Sequence, residues 1–143
     1  MNRLKTLSKT RTLLLALIFI AIAFLSCIRG NSSSKIEKNV KSIKNVNELK
    51  DVIKSAGDKL VLIDLYADWC IPCKKLSPLL ANLSEIFKES VLFYKIDIDK
   101  NPGIAQLFKV AGIPLVIFIK NQAVVYALQG LASENEYIRI IKR

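Results

Sequence analysis

The sequence predicts an α/β domain in which helices cover both faces of a mixed β-sheet. The chain has 143 residues, 52% hydrophobic and 24% charged, which suffices for one packed domain of ordinary size plus a short appendage. Apolar strand-like runs alternate with segments of helical spacing, which is typical of parallel β-α-β units. Only Asn121 and Gln122 separate the last two strand-like runs, which favours a terminal hairpin and hence a mixed sheet.

The first half of the folded region carries a weak strand, a short helix and a strong strand. Residues 40–45 alternate only weakly between apolar and polar side chains. Asn47 is expected to cap a helix that follows it. The apolar face of this helix comprises Leu49, Val52 and Ile53. The next run, KLVLIDLYA, is apolar on both faces except for Asp64, and it predicts a central buried strand.

The second half begins with a long helix after Pro72, in which Pro78 should introduce a kink. VLFYKIDID predicts the next strand, and Asn101-Pro102 opens a short helix. GIPLVIFIK and AVVYALQG are the two strands of the hairpin. Ser133 and Glu136 form a capping box before the last helix. The predicted order is therefore β-α-β-α-β-α-β-β-α.

The N-terminus has the three parts of an export signal. Met1 to Arg11 is basic, and the thirteen apolar residues from Leu13 to Leu25 are shorter than the roughly 20 that span a membrane. FLSC, ending at Cys27, resembles a bacterial lipoprotein signal, in which cleavage precedes the cysteine and the thiol is lipidated. An uncleaved signal anchor, in which Cys27 is only a small hydrophobe, is the alternative.

We therefore divide the chain into a signal peptide or signal anchor (1–26), a polar tether (27–44) and a folded domain (45–143). The expected location is the bacterial cell envelope or periplasm, with the protein held at a membrane.

Charge and composition exclude several classes of function. The net charge is +10, but Arg3, Lys5, Lys9 and Arg11 lie in the export signal, and the other basic residues form no block. We therefore expect no nucleic-acid partner. The chain contains no histidine, which excludes Ser-His-Asp and Cys-His catalysis and every histidine-containing metal site.

The segment ADWCIPCKK holds two cysteines, Cys70 and Cys73, separated by two residues. A structural bridge here would close a very small loop and stabilise little. A zinc site needs four ligands, which one such pair cannot supply. A redox pair fits the position, since Cys70 follows a buried strand at a helix start, where backbone N–H groups lower the pKa of a thiol. Cys73, one turn further in, would be shielded and would close the ring.

VLIDLYADWCIPCKKLSPLL, followed by KIDIDKNPGIAQLFKVAGIPLVIFIKN, resembles thioredoxin. The resemblance covers essentially residues 46–143 and implies the thioredoxin fold, with a redox-active Cys70–Cys73 disulfide and no other cofactor or metal. It also implies a cis bond between Ile113 and Pro114, lying against the cysteine pair. Other matches to family positions are Asp64, Lys95, Trp69, Pro72, Pro78 and Gly130.

The resemblance assigns roles that have a physical sense. Burial should raise the pKa of Asp64, which would then accept the Cys73 proton through a water. The alternative is that Asp64 is only a core polar group with all its hydrogen bonds made. Lys95 would tune Asp64, or else be an ordinary surface lysine. Pro114 would leave the Ile113 backbone free to pair with an extended substrate. The apolar docking rim would comprise Trp69, Ile71, Pro72, Ile113 and Leu131; core packing is the alternative for Trp69.

Three positions depart from the family pattern. Ile71 stands where glycine is usual, Tyr66 replaces a tryptophan, and Gln129 stands where an apolar residue is usual. Ile71 enlarges the apolar patch and should narrow the range of partners.

The expected function is reduction of protein disulfides by a membrane-tethered protein. Ile-Pro between the cysteines offers no charge that would stabilise the reduced form, which favours a reductant. The expected partners are disulfide-containing client proteins and a membrane thiol reductase as electron donor, because an exported reductant must be recharged. DLYADWC also resembles the periplasmic domain of membrane thiol-reductase transporters. We expect a monomer. A disulfide-forming oxidase or isomerase of the same fold, and a non-catalytic docking module, are the alternatives.

Overall fold

A computed structural model describes residues 39–143, which form five strands and four helices. The elements in chain order are β1 (Val40–Ser42), α1 (Val46–Ser55), β2 (Leu60–Tyr66), α2 (Ile71–Ile86), β3 (Val91–Asp97), α3 (Pro102–Leu107), β4 (Leu115–Lys120), β5 (Ala123–Gln129) and α4 (Glu134–Ile141). This is the predicted order.

The five strands form one mixed sheet in the order β1-β3-β2-β4-β5. β3 pairs in parallel with both β1 and β2, whereas β4 is antiparallel to β2 and β5. β2 is therefore the central strand of the sheet, as its apolar sequence predicts. In this register Asp64 lies opposite Lys95 on β3 and Val116 on β4.

Side chains of β2 alternate between the two faces of the sheet, so that both faces are apolar. Helices cover each face and form two cores. Val61, Ile63 and Leu65 pack in one core with residues of α1 and α3. Leu62 packs in the other core, which also contains residues of α2 and α4. The predicted fold class is confirmed.

The first helix begins earlier than predicted. Asn45, not Asn47, is its N-cap, and the Asn45 side chain accepts a hydrogen bond from the Glu48 backbone N–H at 2.9 Å. The Glu48 carboxylate in turn accepts from the Lys44 N–H at 2.8 Å, which completes a reciprocal cap. Asn47 lies inside the first turn, where its side chain is exposed.

The folded part also begins before the predicted boundary at residue 45. Val40–Ser42 pairs with β3, and Ile43 is only 2% exposed within a core. Long-range pairing, which a weak alternation in three residues does not reveal, places this segment in the sheet.

The predicted hairpin turn is confirmed. Asn121 and Gln122 both have left-handed backbone angles, with φ of 52° and 64°, as a two-residue type I′ turn requires. Ser133 caps α4 by accepting from the Glu136 N–H at 3.3 Å. α2 runs through Pro78, whose side chain is exposed; a kink there stays a prediction.

The export signal, the lipidation of Cys27 and most of the tether lie outside the described residues. Within residues 39–143, no helix is long and apolar enough to cross a membrane.

Candidate active site

The site lies at the junction between the central strand β2 and the helix α2. β2 ends at Tyr66, and a three-residue loop leads to Cys70, the N-cap of α2. The Cys70 Sγ accepts a hydrogen bond from the Cys73 backbone N–H at 3.1 Å. A sulfur therefore occupies the place of a capping oxygen at the positive end of the helix dipole, as the sequence predicts.

Cys70 and Cys73 form a disulfide with an S–S distance of 1.99 Å. The two residues are 2% and 3% exposed, and the side chains packed around them are those of Ala67, Tyr66, Ile98 and Ile113. In this oxidised form Cys70 is therefore covered as deeply as Cys73, although only Cys73 was expected to be shielded. A client can reach the pair only between the side chains that border it.

The expected cis bond between Ile113 and Pro114 is present. Pro114 is buried, and Ile113 packs against the cluster that contains both cysteines. The Pro114 carbonyl accepts from the Gly130 N–H at 2.8 Å. This bond ties the segment before β4 to the segment after β5, next to the disulfide.

The side chains predicted to form the apolar docking rim expose a large apolar surface. Trp69, Ile71 and Leu131 are 66%, 68% and 54% exposed. Pro72 and Ile113 are half-buried. Trp69 is therefore not a core residue, and its indole N–H donates to Asp99 Oδ2 at 2.8 Å. We call these five residues the apolar rim.

Asp64 lies on β2 with 5% of its surface exposed. Burial raises its pKa to about 7, although the positive charge of Lys95 opposes this. Its Oδ1 has no hydrogen-bond partner among the described residues, so it is not a fully satisfied core carboxyl. Lys95, opposite on β3, also holds its ammonium 5.6 Å from the centre of the Tyr66 ring.

Sequence reasoning missed a charged network beside the apolar rim. Lys100 forms ion pairs with Asp97 and, at 3.4 Å, with Asp68. The hydrogen bond from Lys100 lowers the pKa of Asp97. These contacts join the loops that follow β2 and β3. The available signal is that adjacent parallel strands end at the same edge of a sheet, which brings their following residues together.

Sequence reasoning also missed the surroundings of two further residues, Gln129 and Tyr137. The side-chain amide of Gln129 lies over Gly112, so that a Cβ at position 112 would come within 2.7 Å of its nitrogen. Tyr137 is on α4, and its buried hydroxyl has no hydrogen-bond partner among the described residues. The proximity of Gln129 to Gly112 and the burial of Tyr137 both depend on the packing of distant parts of the chain, which local sequence patterns do not show.

Together these features define a dithiol–disulfide exchange centre. A cysteine pair begins a helix, exposed apolar side chains flank it in sequence, and a buried carboxyl lies on the preceding strand. Within residues 39–143, no group of three or more Cys, Asp or Glu side chains is arranged to hold a metal ion.

Comparison with known proteins agrees with this class. The thioredoxin family model matches residues 39–143. The thioredoxin of Borreliella burgdorferi is 38% identical over 86 residues, which are 60% of this chain and 74% of that protein. Oxidised mitochondrial thioredoxin 3 of Saccharomyces cerevisiae superimposes with a TM-score of 0.67 at 30% identity, covering 76% of this chain and 98% of that one. For Malassezia sympodialis thioredoxin the TM-score is 0.66 at 32% identity, covering 73% and 91%.

The chain belongs to the thioredoxin family. It is a protein-disulfide oxidoreductase whose redox centre is the Cys70–Cys73 pair, and proteins of this family act on disulfide-containing proteins without a further cofactor.

Proposed function

We propose that this oxidoreductase reduces protein disulfides outside the cytoplasm, while its N-terminal segment holds it at a membrane. The observation that carries the direction is the apolar surroundings of the cysteine pair: Ala67, Tyr66, Ile98 and Ile113 pack around it, and Ile71 stands between the two sulfurs in sequence. An apolar environment disfavours a thiolate and offsets part of the stabilisation that the start of α2 gives to the Cys70 sulfur, so the reduced form tends to give up its electrons.

The reaction proceeds in two exchanges. The Cys70 thiolate attacks one sulfur of a client disulfide, forms a mixed disulfide and releases the other client sulfur as a thiolate, which takes up a proton. Cys73 then loses its proton and attacks the Cys70 sulfur, which releases the second client thiolate. Two electrons pass to the client, and the Cys70–Cys73 disulfide forms.

Asp64 is the base for the second exchange. Its pKa of about 7 leaves about half of the carboxyl ionised at neutral pH, so it can both accept and release a proton. Acting directly or through a water, it takes the proton of Cys73 during resolution. Lys95, opposite on β3, favours the ionised form by its charge.

The apolar rim binds the client. Its exposed tryptophan and isoleucine offer apolar area on the helix side of the disulfide, and Ile113 lies on the other side. An extended client segment would pair with the Ile113 backbone, because Pro114 offers no N–H of its own. Ile71 makes the rim bulkier and restricts clients to those with an accessible disulfide.

The proposed location rests on the N-terminal sequence alone. A basic start, an apolar run of signal length and Cys27 are the features of an exported, lipidated bacterial protein. An exported reductant cannot draw on cytoplasmic electron donors directly. We therefore assign its recharging to a membrane thiol reductase that passes electrons across the bilayer.

Insulin reduction by dithiothreitol tests the activity. The protein should accelerate it, Cys70→Ser should abolish the acceleration, and Cys73→Ser should accumulate a mixed disulfide. A wild-type protein no faster than Cys70→Ser would show that the domain serves only for docking.

Equilibration with glutathione tests the direction. In a reductant the Cys70–Cys73 pair should have a reduction potential of about −270 mV, whereas a value of about −120 mV would identify a disulfide-forming oxidase.

Cell fractionation tests the location. In a bacterial host the full chain should be in the membrane fraction and digestible by protease added to spheroplasts. Cys27→Ala should lose incorporated fatty acid. A protein that stays protease-protected in the cytoplasm would contradict the proposed location, and a Cys27→Ala variant unchanged in mass would favour the signal anchor.

A further inference from the structure

Two buried polar atoms in the described part of the chain lack a hydrogen-bond partner: Asp64 Oδ1 and the Tyr137 hydroxyl oxygen. Tyr137 is on α4 and has no exposed surface. A buried polar group without a partner destabilises the fold and calls for a functional or structural reason. The thiol–disulfide chemistry described above uses Asp64 but not Tyr137.

The sheet register places the two groups on the same side of the sheet. Asp64 has the same strand parity as Leu62, so both face the core that contains Tyr137. On β4, Val116 lies opposite Asp64 and Phe118 lies opposite Leu62. The Tyr137 ring packs on Phe118 with their centres 6.3 Å apart, one row of side chains from Asp64.

Electrostatics agrees with this proximity. Burial raises the pKa of Tyr137, and the negative charge of Asp64 raises it further. The charge of Glu136, the preceding residue on α4, contributes less. The Tyr137 hydroxyl therefore stays protonated and available as a donor at every physiological pH.

We propose that the Tyr137 hydroxyl donates a hydrogen bond to one buried water, which in turn donates to the Asp64 carboxylate and so favours the ionised form that takes up the Cys73 proton. Tyr137 is then a positioning residue, because it acts through Asp64. The proposal rests on the role proposed above for Asp64.

The elements around Asp64 carry other groups that could compete with Tyr137. β3 contributes Lys95, β2 contributes Tyr66 two residues further on, and α2 contributes Cys73. β4 contributes only Val116 opposite Asp64. Lys95 acts by its charge, whereas Tyr137 approaches from α4 as a neutral donor, so loss of its hydroxyl should be separable from loss of the lysine.

The test measures the Asp64 pKa in the oxidised full chain, by NMR of carboxyl-labelled aspartate, in wild type and Tyr137→Phe. Loss of a donor to the carboxylate should raise the Asp64 pKa by about one unit. The acidic limb of the pH profile for Cys73 resolution should move upward by the same amount. A merely structural role for Tyr137 would lower stability and leave both values unchanged.

Tyr126→Phe is the matched control, because the Tyr126 ring also packs on Phe118 at 6.3 Å. It should leave the Asp64 pKa and the pH profile as in wild type. In an Asp64→Asn background, Tyr137→Phe should not alter the pH profile further. An unchanged Asp64 pKa in Tyr137→Phe, or an equal shift in Tyr126→Phe, would overturn the proposal.

If Tyr137→Phe does not fold, wild type itself provides the measurement. The Tyr137 hydroxyl proton should be protected from exchange above the Asp64 pKa and should lose that protection in Asp64→Ala, which leaves no acceptor at this position. Equal exchange in both proteins would overturn the proposal. Because the Asp64 pKa is measured without a client, a shifted pKa with unimpaired resolution in Asp64→Asn would contradict the role of Asp64 and leave the hydrogen bond standing.

Discussion

Asp64 lies on the central strand of the sheet, and its carboxyl is almost fully buried. Its pKa of about 7, against an ordinary value of 3.8, means that the folded protein binds a proton more tightly than the unfolded chain does. The free energy of unfolding should therefore fall as the pH rises between these two values. A group suited to proton transfer is thus a source of instability at neutral pH.

Asp64→Asn should remove this pH dependence. The 3.2-unit difference between the two pKa values corresponds to about 4 kcal/mol, so the variant should be more stable than wild type at pH 8 by up to that amount. Urea unfolding from pH 4 to pH 8 measures it. Asp97→Asn is the control of opposite sign, because Lys100 lowers the pKa of Asp97 and its contribution is lost as pH falls. Parallel stability curves for wild type and Asp64→Asn would contradict the expectation.

At the scale of elements, the start of α2 carries both the chemistry and the recognition surface. Cys70 caps the helix, and Ile71, in its first turn, points a large side chain into solvent. The resemblance to the family implies glycine at this position, so the exposed branched side chain departs from the family pattern. It stands beside the sulfur that clients must reach.

Ile71→Gly should broaden the range of clients. Removing the side chain opens the approach to Cys70, so kcat/KM should rise for clients with bulky residues beside the disulfide and change little for small ones. Ile86→Gly is the matched control: Ile86 is 63% exposed at the other end of α2. Each variant should lose about 1 kcal/mol of stability from the glycine itself. Equal kinetic effects of the two substitutions would show that helix stability, not access, is responsible.

Two loops next to α2 are joined by Lys100, which pairs with Asp68 after β2 and with Asp97 at the end of β3. Because Lys100 is largely exposed and solvent screens its ion pairs, Lys100→Met should leave the free energy of unfolding nearly unchanged. The pKa of Asp97 should rise toward its ordinary value, since its main hydrogen bond is lost. NMR titration checks this, with Lys109→Met, an exposed lysine outside these ion pairs, as control. An unmoved Asp97 pKa would contradict the expectation.

At the scale of the whole molecule, β1 decides where the domain begins. Ile43 is buried in the core, and Val40–Ser42 pairs along the β3 edge. A chain lacking residues 1–38 should therefore fold with full stability. Removing residues 1–44 should cost several kcal/mol, of which the lost Ile43 burial supplies about 2–3 kcal/mol. Urea unfolding of the two truncated chains checks this, and equal midpoints would show that β1 is dispensable.

Local sequence patterns determined the order of the elements, the central position of β2 and the place of the redox pair. These depend on features short in sequence: an uninterrupted apolar run, helical spacing, a two-residue turn, and two cysteines at a strand-to-helix junction. The family resemblance added the cis bond before Pro114, which is present. The exported location stays a prediction.

Only the tertiary structure decided the pairing of β1, the meeting of Lys100 with Asp68, and the equal burial of the two cysteines. It also placed the hydroxyl of Tyr137 on the same side of the sheet as Asp64, although 73 residues separate them in the chain. The physical reason is the same in each case: these relations depend on which distant segments pack together, whereas hydrophobic periodicity reports only which face of one element is buried.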